Sequence, residues 1–136
     1  MKNNLISILI TNYNKSQFLK KSLKSIQTQQ YKNYEIIIFD DASTDNSIEI
    51  IKKFKKMKLV INKKKIYSCP ALNQIYGLKK AFLKSRGKII CLMDADDYFK
   101  KNKLFEVNKY FELNKKKNVL YNLPIVAAGN NFNILN

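Results

Sequence analysis

The segment Asp94-Ala95-Asp96-Asp97 sets three carboxylates almost side by side. Like charges this close repel, and a cation among them relieves the repulsion. Carboxylate oxygens are hard ligands, suited to Mg²⁺ or Mn²⁺. Asp94, Asp96 and Asp97 are the candidate metal ligands on residue type alone. So few protein ligands would leave coordination positions open for a diphosphate, and the ion would then offset charge on a departing phosphate. The plainer reading is an Asp-rich turn that ends a strand and caps the next helix. The setting favours a site, because the acidic segment follows an apolar run and other apolar runs also end in polar residues.

Asp40-Asp41 is one of those ends, and Thr11-Asn12-Tyr13-Asn14 is another. A carboxylate at Asp41 or Asp40 could accept a hydrogen bond from a nucleobase N–H. Thr11 could offer a hydroxyl and Tyr13 a stacking face, with Asn14 a secondary candidate beside them. Read plainly, these are an acidic turn ahead of a helix N-terminus, where carboxylates are favourable, and a strand-to-helix turn.

Regular elements must position these residues. Leu5 to Ile10 and Tyr34 to Phe39 read as buried strands, apolar and rich in β-branched side chains. Leu59-Val60-Ile61 is a third strand flanked by lysines, and Lys88 to Met93 a fourth. Between them lie helical patterns. Ser16 caps a helix whose face is Phe18, Leu19, Ser22, Leu23 and Ile26. Ser43, Thr44 and Asp45 are cap-type residues before Ile48, Ile51 and Phe54. Pro70 suits the first turn of a helix through Leu72, Ile75, Tyr76, Leu78, Lys79, Phe82 and Leu83. A further helix carries Leu104, Phe105, Asn108 and Phe111, and Val119 to Val126 is a candidate last strand. Alternating strands and helices predict an α/β fold: three α/β/α layers around a mostly parallel sheet. In such sheets ligands bind beyond the carboxyl ends of the strands, where the polar clusters stand.

Composition narrows the classes further. At 136 residues the chain is one domain, and 46% hydrophobic content excludes disorder. Two cysteines cannot staple a disulfide scaffold, and with no histidine no imidazole base or His–metal site exists. Cys69 and Cys91 read as reduced cytosolic thiols. No signal core or membrane span is visible. The net charge is +16, yet Arg86 is the only arginine among 26 basic residues. Nucleic-acid readers lean on arginine for bidentate contacts. The charge therefore reads as solvated surface, with a nucleotide or an anionic membrane surface as the remaining partners and no nucleic acid expected.

Taken in order, Ser7-Ile8-Leu9-Ile10-Thr11-Asn12-Tyr13-Asn14-Lys15, Tyr34 to Asp45 and Gly87 to Asp97 resemble the successive signatures of the family-two inverting glycosyltransferases. The likeness covers roughly Leu5 to Phe111. It implies a Rossmann-like GT-A nucleotide-sugar-binding core, a nucleotide-diphospho-sugar donor (usually a UDP-sugar) and a divalent metal. It implies that Thr11 and Tyr13 contact the nucleobase, that Asp41 binds the uracil edge, and that Asp94 and Asp96 hold ribose and metal. The resemblance makes Asp96 the direct metal ligand. An Ala-Arg-Asn-type segment stands before the fourth strand in that family. Here Ala71-Leu72-Asn73-Gln74 lacks the arginine, which leaves Asn73 as a secondary donor-binding candidate.

The general base of such an enzyme is a carboxylate well downstream of the Asp-x-Asp motif. This sequence has no Asp or Glu after Glu112. The expectation is a donor-binding half spanning 1–136, with the base and the acceptor half absent. The function implied is inverting glycosyl transfer to a saccharide or lipid-linked acceptor in polysaccharide or cell-envelope synthesis, in the cytoplasm or at the cytoplasmic face of the membrane, with peripheral membrane association. The rival readings are a catalytically silent or split nucleotide-sugar-binding module that needs a partner chain, and a basic membrane-surface or nucleic-acid-binding protein.

Overall fold

The computed structural model describes residues 2–117 and 119–120, and the backbone of 126–128 and 131–133. Four strands, β1 (Ile6–Asn12), β2 (Tyr34–Asp41), β3 (Met57–Asn62) and β4 (Ile89–Asp94), pair in the order β3-β2-β1-β4, all parallel. Four helices alternate with them: α1 (Ser16–Gln27), α2 (Ser47–Lys52), α3 (Pro70–Phe82) and α4 (Lys103–Leu113). Short strands β5 (Val126–Ala128) and β6 (Asn131–Asn133) form a separate antiparallel pair. The predicted strand from Val119 to Val126 is not formed at its start: Val119 and Leu120 lie outside any strand, and residues 121–125 lie outside the described residues.

Side-chain alternation along each strand separates two cores. Ile6, Ile8 and Ile10 of β1, Ile36 and Ile38 of β2, and Ile89, Cys91 and Met93 of β4 face one layer. There they meet Leu19, Leu23 and Ile26 of α1, Ile51 of α2, and Leu104 and Val107 of α4. Leu9, Ile37 and Phe39 face the other layer and meet Ala81 of α3. Three layers result, as the pattern predicts.

Two predicted details are revised. Ser16 does not cap α1. Lys15 holds the cap position without a side-chain cap bond, while the Ser16 N–H donates to Asp45 Oδ2 at 2.9 Å. Asp45 Oδ1 also accepts from the Ser47 N–H at 2.9 Å, so one carboxylate serves the amino ends of both α1 and α2. Burial alone would raise the Asp45 pKa, but these bonds overcome it and hold the carboxyl at about 2. The second revision concerns side-chain faces. Phe18 and Phe105 are partly exposed, and so are Leu72, Ile75 and Phe82 of α3. The buried residues of α3 are the small or polar Asn73, Gly77 and Ala81, while Tyr76 and Leu78 pack half-buried against the same core, Tyr76 edge-on to Phe39.

The reason is close approach. A Cβ at Gly77 would stand 2.5 Å from Phe39 Cδ1, so only glycine lets α3 lie this near β2. Gly77→Ala should therefore destabilise the fold by about 1–2 kcal/mol, overpacking outweighing the helix propensity gained. Thermal unfolding reads the change, and an unchanged or higher midpoint would refute the packing argument.

Candidate functional site

The carboxyl ends of β1, β2 and β4 open on the side of the sheet that α3 covers. Register brings them level: Thr11 pairs with Phe39 and with Asp94, and Asn12 with Asp40. The strand order reverses between β1 and β4, the position where open parallel sheets leave a crevice. A cleft of about 300 Å³ lies there. Thr11, Tyr13, Asp41, Asn73, Asp94 and Asp96 all line it, so the structure gathers these predicted residues from strands far apart in sequence.

Two predicted candidates stay outside. Asp40 is fully buried on the opposite face of β2. Its Oδ2 accepts from Asn12 Nδ2 and Ser43 Oγ, both at 2.7 Å, and its Oδ1 accepts from the Ser43 N–H at 2.9 Å. Asp40 thus folds the turn that presents Asp41, a turn in which Ala42 has φ 57. Asn14 is spent in the same way. Its Oδ1 accepts from the Thr44 N–H at 2.8 Å and the Asp45 N–H at 3.3 Å, which ties the β1–α1 turn to the β2–α2 turn.

Asn73 reaches the cleft but is engaged by the preceding loop. Its Oδ1 accepts from the Tyr67 N–H at 3.0 Å and its Nδ2 donates to the Tyr67 carbonyl at 2.7 Å. Asp41 Oδ1 accepts from Asn62 Nδ2 at 3.1 Å. Asp94 Oδ1 accepts from Gln74 Nε2 at 2.8 Å. Gln74 is a cleft residue that the sequence pattern did not single out, although its segment was the one short of an arginine.

Two lysines were missed as well. Lys65 lies over the Tyr13 ring, its Nζ 3.4 Å from the centroid, so a cation covers the face proposed for stacking. Lys15 Nζ donates to Asp96 Oδ2 at 2.6 Å. Their signal was present: Lys15 closes the first motif and Lys65 ends the run Lys63-Lys64-Lys65. Sequence alone gives no reason to aim either side chain at the cleft. Asn12, also in the cleft wall, is buried, and its Oδ1 finds no donor among the described residues.

The carboxylates of this segment are shifted in opposite directions. The Lys15 hydrogen bond leads in holding the Asp96 carboxyl below its usual value. Asp97 is pushed up, first by burial and then by the charges of Asp94 and Asp96. Among the described residues no group of three or more His, Cys, Asp and Glu side chains is arranged to hold a metal ion. Asp94 and Asp96 nevertheless share one cleft, offer hard oxygens, and already attract the Lys15 ammonium to one of them. This donor set fits a divalent ion whose remaining ligands come from a bound anion.

The profile of Glycosyl transferase family 2 matches residues 7–136. The chain belongs to this family. Among its relatives is the UDP-Glc:alpha-D-GlcNAc-diphosphoundecaprenol beta-1,3-glucosyltransferase WfaP of Escherichia coli. It is 36% identical over 101 residues, which cover 74% of this chain and 38% of WfaP. The fold is that of S. aureus TarS, solved with UDP-GlcNAc: TM-score 0.73, 20% identity, 81% of this chain and 32% of TarS covered. It is also that of the mannosyltransferase PcManGT of Pyrobaculum calidifontis, solved with GDP-Man and Mn²⁺: TM-score 0.68, 20% identity, 78% of this chain and 32% of PcManGT covered. The chain spans well under half the length of curated relatives it matches, 14% of one and 39% of another.

Proposed function

We propose that this chain carries the donor side of a family 2 glycosyltransferase and binds a nucleotide-diphospho-sugar, a UDP-sugar in the first instance, together with Mn²⁺ or Mg²⁺. The observation that carries the reading is the gathering of Thr11, Tyr13, Asp41, Asp94 and Asp96 in one cleft at the sheet's switch point. Tyr13 supplies an aromatic face for the base once Lys65 moves aside. Asp41 is an acceptor for a base N–H, its other oxygen being held by Asn62. Thr11 stands beside Asp94 in register, where a hydroxyl and a carboxylate can meet base and ribose. Asp96 and Asp94 would hold the metal. When bound, that ion neutralises charge on the departing diphosphate. Asp40 and Asn14 position the turns, and Asn73 holds the Tyr67 segment in the cleft wall.

The wider reaction follows from the same reading: transfer of the glycosyl group with inversion to a saccharide or lipid-linked acceptor in polysaccharide or cell-envelope synthesis. WfaP, whose name specifies a lipid diphosphate acceptor, supports that class of acceptor. Exposed lysines at Lys52-Lys53, Lys63-Lys64-Lys65 and Lys115-Lys116-Lys117 suit peripheral contact with an anionic leaflet. No helix of the described residues is long and apolar enough to cross a membrane. The cytoplasmic face of the membrane is the location that goes with this reading.

Calorimetry tests the donor reading. UDP should bind in the presence of Mn²⁺ and lose about tenfold or more in affinity with a chelator, since the ion bridges carboxylate and phosphate. CDP and GDP should bind more weakly than UDP. Equal binding of UDP with and without metal, or no binding at any metal concentration, would sink the reading.

A further inference from the structure

The Lys15 to Asp96 contact sits inside the proposed metal site, and the inference drawn from it rests on the donor-site reading above. Asp96 offers its Oδ2 to the Lys15 ammonium at 2.6 Å, within the cleft that both residues line. An ammonium held on that carboxylate oxygen competes, by charge and by place, with a divalent ion approaching the same group. Asp94 differs, because its partner is the neutral amide of Gln74. The charged competitor is therefore confined to one of the two carboxylates.

Lys15 also occupies an unusual place for a cation. It is the N-cap residue of α1, a helix of 12 residues, where the positive end of the helix dipole disfavours positive charge. Among the described residues Asp96 is its only ion-pair partner. The Lys15 side chain is 43% exposed and that of Asp96 38%, so neither is locked by packing. An ion pair this open is weak and can be exchanged. Displaced from Asp96, the ammonium would stand at a positive helix end on the rim of the cleft, a position suited to a phosphate.

We propose that Lys15 is a tethered counter-cation for Asp96: its ammonium and the divalent ion compete for the same carboxylate, and loading of metal with donor turns Lys15 onto the donor's phosphates. The site is thereby kept from accumulating bare metal, and metal and nucleotide binding become mutually supporting. Lys15 acts as a positioning and selectivity residue, and no bond is made or broken at it.

The test uses the whole chain and Mn²⁺ alone as the first probe, titrated by calorimetry or by the electron paramagnetic resonance signal of free Mn²⁺. Lys15→Met should tighten Mn²⁺ binding in the absence of nucleotide by about fivefold, the scale of an exposed ion pair removed. The same variant should weaken UDP binding at saturating Mn²⁺. Opposite signs in the two titrations are the signature. Lys65→Met, which removes a lysine from the same cleft without touching Asp96, controls for bulk charge and should change Mn²⁺ affinity by less than about twofold. The proposal is overturned if Lys15→Met leaves Mn²⁺ affinity unchanged or weakens it, if Lys65→Met tightens Mn²⁺ equally, or if neither the wild type nor Lys15→Met binds Mn²⁺ alone. Wild-type UDP binding with Mn²⁺ is read separately. Its presence beside any of those outcomes leaves the donor reading standing and removes only the role of Lys15.

Discussion

Asp96→Asn should lose at least about 100-fold in Mn²⁺-dependent UDP affinity, the scale of a charge-assisted contact removed from a metal-bridged anion. Asparagine keeps the size of the side chain and one oxygen, so the loss isolates the charge. Asp96 is exposed just past the strand end, and among the described residues its one ion pair is with a half-exposed lysine. The melting temperature should accordingly move by no more than about 2 °C, as expected of a surface substitution. Asp94→Asn should cost less, about tenfold, if Asp94 shares its work between ribose and metal, as a carboxylate already bonded to Gln74 can. Calorimetric titration of both variants with UDP at saturating Mn²⁺ decides the order. Full retention of UDP affinity in Asp96→Asn would remove the metal from the cleft.

The second large effect lies at the other end of the sheet. Glu35 stands near the start of β2, and its side chain is only 10% exposed. Its Oε1 accepts from Ser7 Oγ at 2.7 Å and from the Arg86 N–H at 2.6 Å, and its Oε2 from Lys58 Nζ at 2.8 Å. Ser7 Oγ accepts in turn from the Gly87 N–H at 2.8 Å. One carboxylate thus ties β1, β2 and β3 to the loop that enters β4. Burial alone would raise its pKa, but the bonds from Lys58, Ser7 and Arg86 outweigh burial and hold it at about 2, against an ordinary 4.5.

The sign follows from that direction. A carboxyl whose pKa is lower in the folded state stabilises the fold above its unfolded value, and that stability drains away as pH falls towards the folded value. A drop from 4.5 to about 2, at about 1.4 kcal/mol per pH unit, is on the order of 3 kcal/mol. Lys58 is 42% exposed, and solvent screening of that partner lowers the figure to about 2 kcal/mol. Urea unfolding of the wild type should show this loss between about pH 4.5 and pH 2, and Glu35→Gln should flatten that part of the profile. Glu35→Ala at neutral pH should cost about 2–3 kcal/mol, because Ser7 and the Arg86 N–H lose their acceptor. A Glu35→Gln profile as steep as that of the wild type would mean that other carboxyls carry the acid sensitivity.

Neither Glu35 nor the lysines of the cleft stood out in the sequence. A glutamate at a strand start reads as surface, and only the register of Ser7 against Glu35 and the return of the chain at Arg86 make it a junction. The order of strands and helices was legible, because each element carries its own apolar period and each strand end its own polar cluster. The helix faces were read less well. In α3 Tyr76 and Leu78 pack against the sheet, but Leu72, Ile75 and Phe82 stay exposed, and close approach to Phe39 buries Asn73, Gly77 and Ala81 instead.

By itself the sequence determined the parallel α/β architecture, the three acidic or polar strand ends, and the motifs shared with family 2. All of these are local: they depend on residue type and on spacing within one element. The tertiary structure alone decided which of two adjacent aspartates faces the cleft. Strand alternation sends Asp40 and Asp41 to opposite faces, and the position of α3 makes the Asp41 face the wall of the cleft. It also decided that Thr11 stands level with Asp94, and that Lys15 and Lys65 enter the cleft. Those facts are contacts between distant segments, and their energies exist only once parallel pairing has set the register.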